Sequence, residues 1–246
     1  MTTSRKISRA AHLTITDVYR RLDYRSLGPV YCYEGGDKFW AAKRGPCRRL
    51  GIRLAEALAY RLSPRGRSLY VGAGVSELAP LLVEALDLHR QVFPYNLRRR
   101  EVVSLNRICR GTPVTYRSTD AVKAGGTFDH LWIVSVLNDP ERFPNLASLS
   151  YGRANPVTFR PSNFHQERRL VRSIVDRCMP KLRLPGLVTT STEEALWIAE
   201  WCHRKKIPYL VDRRQYPTAL VGDPICFITV GVRRVKGWSR NSGDQT

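Results

Sequence analysis

The stretch Leu69-Tyr70-Val71-Gly72-Ala73-Gly74-Val75-Ser76-Glu77-Leu78 joins an apolar run to a glycine turn and then to a second apolar segment. Glycines let a backbone come close to a ligand, and the start of a helix offers unpaired N–H groups to polar or anionic atoms. The turn is therefore either a ligand cradle or a tight corner with no ligand. A dinucleotide cradle needs a third glycine, or an alanine, where this sequence has Glu77. A bulky anion where the helix packs close and a pyrophosphate sits argues against a nicotinamide or flavin dinucleotide.

Other residues with chemical potential are scattered. Asn138-Asp139-Pro140 follows a strongly apolar run, where it either borders a pocket or caps a turn. His165 precedes a basic segment with Arg168, Arg169, Arg172 and Arg177, and reads as a cap or surface residue. Between Tyr31 and Arg44, the aromatics Tyr33, Phe39 and Trp40 alternate with Lys38, Lys43 and Arg44 around Gly35-Gly36. Aromatics stack on bases and on cations, and the basic groups suit a phosphate. The same stretch also suits a loop-like cover packed on the core. The six cysteines, Cys32, Cys47, Cys109, Cys178, Cys202 and Cys226, include no C-x-x-C pair and no histidine at zinc spacing. Reduced, buried thiols and no metal site are expected.

The chain has 246 residues, 41 Lys and Arg against 21 Asp and Glu, a net charge of +20. Such an excess suits a polyanion, and a solvated arginine-rich surface produces it equally well. It is uneven: residues 1–68 hold 15 basic against 5 acidic side chains, half of the whole excess. Arg98-Arg99-Arg100 opens a second helical segment, where positive charge opposes the helix dipole and hints at an anionic partner. No stretch approaches the ~18 apolar residues of a membrane span. Met1-Thr-Thr-Ser-Arg-Lys-Ile lacks the apolar core of a secretory signal, so a cytoplasmic protein is expected.

These residues need a scaffold. Cys47–Leu62 has leucines at helical spacing, and Ser63-Pro64-Arg65-Gly66 is a turn. From residue 68 onward, short apolar runs at 68–71, 91–93, 113–116, 129–136, 186–190, 208–211 and 225–232 read as seven strands. Helical patterns at 77–88, 98–109, 168–179 and 191–205 separate them, the last opening on a Ser191-Thr192-Glu193-Glu194 cap. Alternation of this kind predicts a mostly parallel α/β sheet with helices on both faces. No helix fits between the last two strands, so the final strand is expected to run antiparallel. The long segment Asn138–Asn163 has no place in the alternation, and long connections at the carboxyl edge of a sheet carry binding function. The expected organisation is a basic helical and aromatic segment over 1–67 packing on the core, an α/β domain over 68–237, and a disordered tail over 238–246.

Over roughly residues 68–232 this pattern resembles the class I S-adenosylmethionine-dependent methyltransferases. Gly72 and Gly74 match their first motif, and Leu182-Arg183-Leu184-Pro185-Gly186 is similar to their Leu-Lys-Pro-Gly-Gly. Tyr70 stands at the first-motif acid, Ser76 at the third glycine, and Pro94 where the family has a carboxylate for the ribose hydroxyls. Asn96 lies near enough to accept one of those bonds, and Asp120 matches the residue that contacts the adenine. The resemblance implies S-adenosylmethionine as cofactor, held by Gly72, Ala73, Gly74, Ser76, Asn96, Asp120 and Ser135. It implies an acceptor pocket bordered by Asn138 and Asp139, loosely similar to the motif of amino methyltransferases. Tyr33, Phe39, Trp40, Lys43 and Arg44 are the candidate substrate contacts. Methyl transfer rests on alignment and desolvation, so no dedicated base is required. The acceptor is RNA or a small molecule; the family's small basic members imply RNA rather than DNA. The altered acids at Tyr70 and Pro94 keep a second reading open, a non-catalytic methyltransferase-like module that binds nucleic acid or a protein through its basic surface.

Overall fold

The computed structural model describes residues 6–27, 36–150, 152, 159–218 and 223–232. Six strands form one sheet: β1 (Arg67–Val71), β2 (Gln91–Tyr95), β3 (Phe128–Ile133), β4 (Leu182–Ser191), β5 (Tyr209–Val211) and β6 (Ile225–Val230). Their order is β2-β1-β3-β4-β6-β5. β1 pairs in parallel with β2 and β3, and β3 with β4, while β6 runs antiparallel to both neighbours. The mostly parallel sheet and its antiparallel last strand agree with the sequence pattern.

Alternation along the strands divides the core. Tyr70, Trp132 and Phe227 pack with α1 (Arg9–Arg20), α3 (Gly36–Arg61), α4 (Leu78–Leu86) and α5 (Arg99–Ile108). Leu69, Val71, Leu131, Ile133, Val188 and Ile228 face the other way, against α7 (Pro161–Cys178) and α8 (Ala195–Lys205). The short α2 (Tyr24–Leu27) packs in the first cluster through Leu27, and the short α6 (Pro144–Ser150) in the second through Leu146. The N-terminal helices share one apolar cluster with the sheet, through Ile15, Leu54 and Leu58. Ser8 caps α1 by accepting Ala11 N–H (3.0 Å) and donates its hydroxyl to Asp87 (2.5 Å), tying α1 to the end of α4.

Three expectations need correction. The predicted third strand, 113–116, is not a strand; it leaves one parallel bridge, Tyr95↔Arg117. The β2 edge it would join carries Pro94, which has no N–H, so pairing reduces to Arg117 N–H onto Pro94 O (2.9 Å) and Asn96 N–H onto Arg117 O (3.0 Å). The helix expected to begin at Cys47 begins at Gly36 and runs through Pro46, so the aromatic stretch is helical from Gly36 onward. Packing of Leu50, Leu54 and Leu58 along α4 outweighs the one hydrogen bond that Pro46 removes. The apolar run expected as a strand to Val136 leaves the sheet after Ile133, because Ser135 takes a left-handed φ of 56°. No helix among the described residues is long and apolar enough to cross a membrane. Tyr33 and the tail 238–246 lie outside the described residues, as do the side chains of Phe39 and Trp40.

Candidate functional site

The site is built where the chain crosses from one side of β1 to the other. β2 lies on one flank of β1 and β3 on the other, so the ends of these strands open a crevice at the point where strand order reverses. Gly72 follows β1 with φ +70°, and a Cβ there would meet Val136 Cγ2 at 2.7 Å; only glycine fits. Ala73 N–H donates to Tyr95 O (2.9 Å), and Asn96 Nδ2 donates to Ala73 O (2.8 Å), which pins the turn to the end of β2. From below, the hydroxyl of Tyr116 donates to Gly74 O (3.1 Å) and that of Tyr19 to Val75 O (3.2 Å). The turn is thus held rigid without a ligand.

The Gly74 N–H of the turn is occupied internally: it donates to Glu77 Oε2 at 2.7 Å. The carboxylate that argued against a dinucleotide from sequence fills the place of a phosphate oxygen with the protein's own charge. Burial pushes the Glu77 carboxyl up to about 7, with the Glu101 charge adding to the rise and the Gly74 N–H opposing it.

Above the turn lies a cleft of about 560 Å³, lined on its floor by Val71, Gly72, Gly74 and Trp132. Leu50 and Leu54 of α3 form an apolar wall. Six of the chain's 21 acids line it, Glu77, Glu101, Asp120, Asp139, Glu141 and Asp223, against the two arginines Arg98 and Arg142. An acidic cavity in a protein of net charge +20 selects neutral or cationic contents and disfavours phosphates.

Of the candidate cofactor residues, Gly72, Gly74, Ser76, Asn96, Asp120 and Ser135 all line this cleft. Ala73 lies beneath it, fully buried. Asp120 accepts Val122 N–H (3.0 Å) and caps a short 3-10 turn at the cleft wall. Asn96 is a brace: its carbonyl accepts Arg98 N–H (2.7 Å) and its amide reaches Glu101 Oε2 (3.0 Å) as well as Ala73. Tyr70 and Pro94 are neighbours in the sheet, both buried, and neither lines the cleft. A carboxylate next to the end of β2 is Glu101, in the first turn of α5.

At the other end, Asp139 lines the cleft and accepts Glu141 N–H (2.9 Å), a turn-capping contact. Asn138 is buried beside it, its amide 3.4 Å from Asp223 Oδ2. The loop that carries them is fixed by Glu194, which accepts Ser135 N–H (2.9 Å), Val136 N–H (2.6 Å) and Leu137 N–H (2.6 Å). Ser191 Oγ accepts Glu194 N–H (3.3 Å) in the turn before α8, but the helix expected from Ser191 begins at Ala195 without a side-chain cap, and the Glu194 carboxylate serves a loop some 57 residues earlier.

Lys43 and Arg44 do not line the cleft; Arg44 lies over the Tyr24 ring at 5.9 Å. His165 is exposed on α7 against Phe164 (5.7 Å), away from the cleft. The five described cysteines are buried, and burial pushes the thiols of Cys47, Cys178, Cys202 and Cys226 up to about 11 and that of Cys109 to about 12. No group of three metal-ligating side chains occurs among the described residues. Glu101, Glu194 and Asp223 were not visible as site residues in the sequence. The available signal for Glu101 was a lone acid in the first turn of an otherwise basic helix start.

No protein-family model matches the sequence, and no curated protein matches it. Solved structures do. Magnesium protoporphyrin IX methyltransferase from Synechocystis PCC 6803, with bound S-adenosylmethionine, aligns with a TM-score of 0.51 at 12% identity, over 87% of this chain and 96% of that one. The N-methyltransferase NodS from Bradyrhizobium japonicum WM9, in complex with S-adenosylhomocysteine, aligns with a TM-score of 0.49 at 14% identity, over 88% and 100%. The first of these establishes a shared fold, that of the class I S-adenosylmethionine-dependent methyltransferases.

Proposed function

We propose that this protein is an S-adenosylmethionine-dependent methyltransferase and that its cofactor occupies the cleft above Gly72–Gly74. The observation that carries the reading is an acidic cleft of ligand size set over a rigid glycine turn at the switch point of the sheet. S-adenosylmethionine supplies an electrophilic methyl group on a positively charged sulfur. The residues present suit such a molecule: Asp120 takes the adenine amino group, Glu101 the ribose hydroxyls, and Glu77 sets a negative potential for a cation. Asp139 and the loop held by Glu194 form the acceptor side. Leu50, Leu54 and Trp132 keep water from the cleft.

Calorimetric titration with S-adenosylhomocysteine tests this. Binding tighter than about 100 μM is expected, abolished in Gly74→Leu. Glu101→Gln, which keeps the side chain's shape, is expected to weaken binding about tenfold or more, the loss of charge-assisted hydrogen bonds. No heat at millimolar ligand favours the second reading, a methyltransferase-like binding module. That reading draws on Tyr70 and Pro94, which put no carboxylate at the two positions where the resembling family has one.

A further inference from the structure

We propose that the outer face of α3 is a docking surface for single-stranded RNA, and that it leads the strand to the mouth of the cleft. Between Lys38 and Arg53 the sequence has six basic residues and no acid, the nearest being Asp37 and Glu56. Lys38, Arg44, Arg48, Arg49 and Arg53 are exposed. They cover about 22 Å of helix axis. Several arginines elsewhere are matched to carboxylates, Arg20 with Asp17, Arg61 with Asp212, Arg107 with Asp23, Arg172 with Glu200 and Arg204 with Asp176; what sets α3 apart is five exposed cations on one helix with no acid among them. Arg48, Arg49 and Arg53 have no such partner among the described residues. Arg44 and Arg48, and Arg49 and Arg53, are like charges one helical turn apart, an arrangement that destabilises a helix until an anion neutralises it.

Position joins this face to the site. The opposite side of the same helix supplies Leu50 and Leu54 to the cleft wall, and Cys47 Sγ lies 3.8 Å from Ser76 Oγ beside the glycine turn. α5, in the same layer, adds exposed Arg99 and Arg100 just past the end of β2. The cations of α7 lie in the opposite layer, where Arg172 is paired and Arg168 sits over Trp197, so they do not join this surface. Phosphates suit the face of α3 and are repelled by the acidic cleft, so backbone stays outside while an unstacked base is free to enter. That choice of a single strand rests on the methyltransferase reading; the charge argument does not. Single-stranded loops and ends with splayed bases are the form in which RNA is recognised, and a stacked duplex does not present its bases to a cleft.

The test is fluorescence anisotropy of the full chain with a short unstructured RNA, a duplex DNA of equal length, and a salt series. Five contacts on a single strand give a log–log salt slope near −3.5, about a hundredfold loss of affinity from 50 to 200 mM salt. In Arg48→Ala/Arg49→Ala/Arg53→Ala the slope is expected to shrink by about 2, while Arg169→Ala/Arg177→Ala on α7 leaves it unchanged. Alanine is a strong helix former, so the triple variant keeps α3, which far-ultraviolet circular dichroism verifies. A flat salt response, equal losses in both variants, or duplex DNA bound as tightly as RNA each overturns the proposal. S-adenosylhomocysteine titration in parallel separates the two readings. RNA binding without cofactor binding sinks the methyltransferase and keeps the surface; the reverse sinks the surface alone.

Discussion

Glu77 and Glu84 are seven residues apart at α4, both buried, and the protein treats their charges in opposite ways. Glu84 lies under the sheet in a network. Arg90 Nε donates to it at 3.0 Å, Tyr70 OH at 2.6 Å, Ser68 donates its hydroxyl, and His130 Nδ1 is 3.1 Å away. Arg90 also reaches Asp129 and the carbonyl of Ser63 (2.5 Å). Burial alone would push the Glu84 carboxyl up, but His130, Arg90 and Ser68 overcome it and bring it down to about 2. Glu77 faces the cleft with neutral donors only, the Gly74 N–H, its own N–H and the Trp132 side chain, and with the Glu101 carboxylate nearby, and burial takes it to about 7. A buried charge matched within its own chain holds the fold together. A buried charge left without a countercharge beside a cleft stands at an expense in stability that a cationic ligand would offset.

The largest expected effect comes from breaking the matched side. Glu84→Gln leaves Arg90 buried with only part of its partners, and removal of one member of a buried ion pair destabilises by about 3–5 kcal/mol. Urea denaturation at pH 7 measures it. The stabilisation from Glu84 exists above its unfolded value of 4.5 and disappears as pH falls toward 2. The variant's deficit is therefore expected at neutral pH and to vanish in acid. A loss below about 1 kcal/mol at pH 7 breaks the contrast, since the network would then be replaceable by neutral hydrogen bonds.

Glu77→Gln has the opposite sign. Between pH 4.5 and about 7 the native carboxyl holds a proton that the unfolded chain has released, so wild-type stability from this group falls as pH rises through that window. At pH 8 the variant, which keeps an acceptor for Gly74 N–H, is expected to be more stable by up to about 3 kcal/mol, and at pH 4 to match wild type. Glu194, also raised to about 7 by burial, slopes the same way and is common to both proteins, so their difference isolates Glu77. On the proposed function the gain comes with a loss: wild-type affinity for S-adenosylmethionine is expected to strengthen as pH passes 7, and the variant's is not. Denaturation and calorimetry at both pH values check the two halves. Equal stability at pH 8 would place Glu77 among the structural carboxylates.

How much of this was legible in the sequence follows distance along the chain. The glycine turn, the alternating elements and the antiparallel last strand are local patterns, and they were readable. Asp120 and Ser135, which the resemblance implies as cofactor contacts, both line the cleft. Glu101 lines the cleft from the first turn of α5, beyond the strand-end position, Pro94, to which the resemblance points. Glu194 reads as a helix cap and nothing in its neighbourhood shows that it fixes residues 135–137, a contact made only when β3 and β4 lie side by side. The missing strand and the helix through Pro46 turn on tertiary pairing and packing that local propensity does not register.

The smallest effect concerns Arg98, the first of the three arginines that suggested a polyanion. Arg98 Nη2 donates to Glu141 at 2.7 Å, joining the loop after β2 to the loop after β3 across the cleft mouth. Their side chains are 36% and 31% exposed, so the pair is screened and contributes at most about 1 kcal/mol. By the rule that separates Glu84 from Glu77, Arg98 is a matched charge and Arg48 an unmatched one. Arg98→Ala is therefore expected to lower stability by less than about 1 kcal/mol and to leave the salt slope of RNA binding unchanged, whereas each unmatched arginine of α3 removed reduces that slope by about 0.7. Thermal melts and the anisotropy salt series measure both. A slope reduced by a full contact in Arg98→Ala would mean that the bridge to Glu141 opens when RNA arrives and that the cleft mouth widens with it. The partner of a charge in the free protein would then no longer serve as a guide to its role.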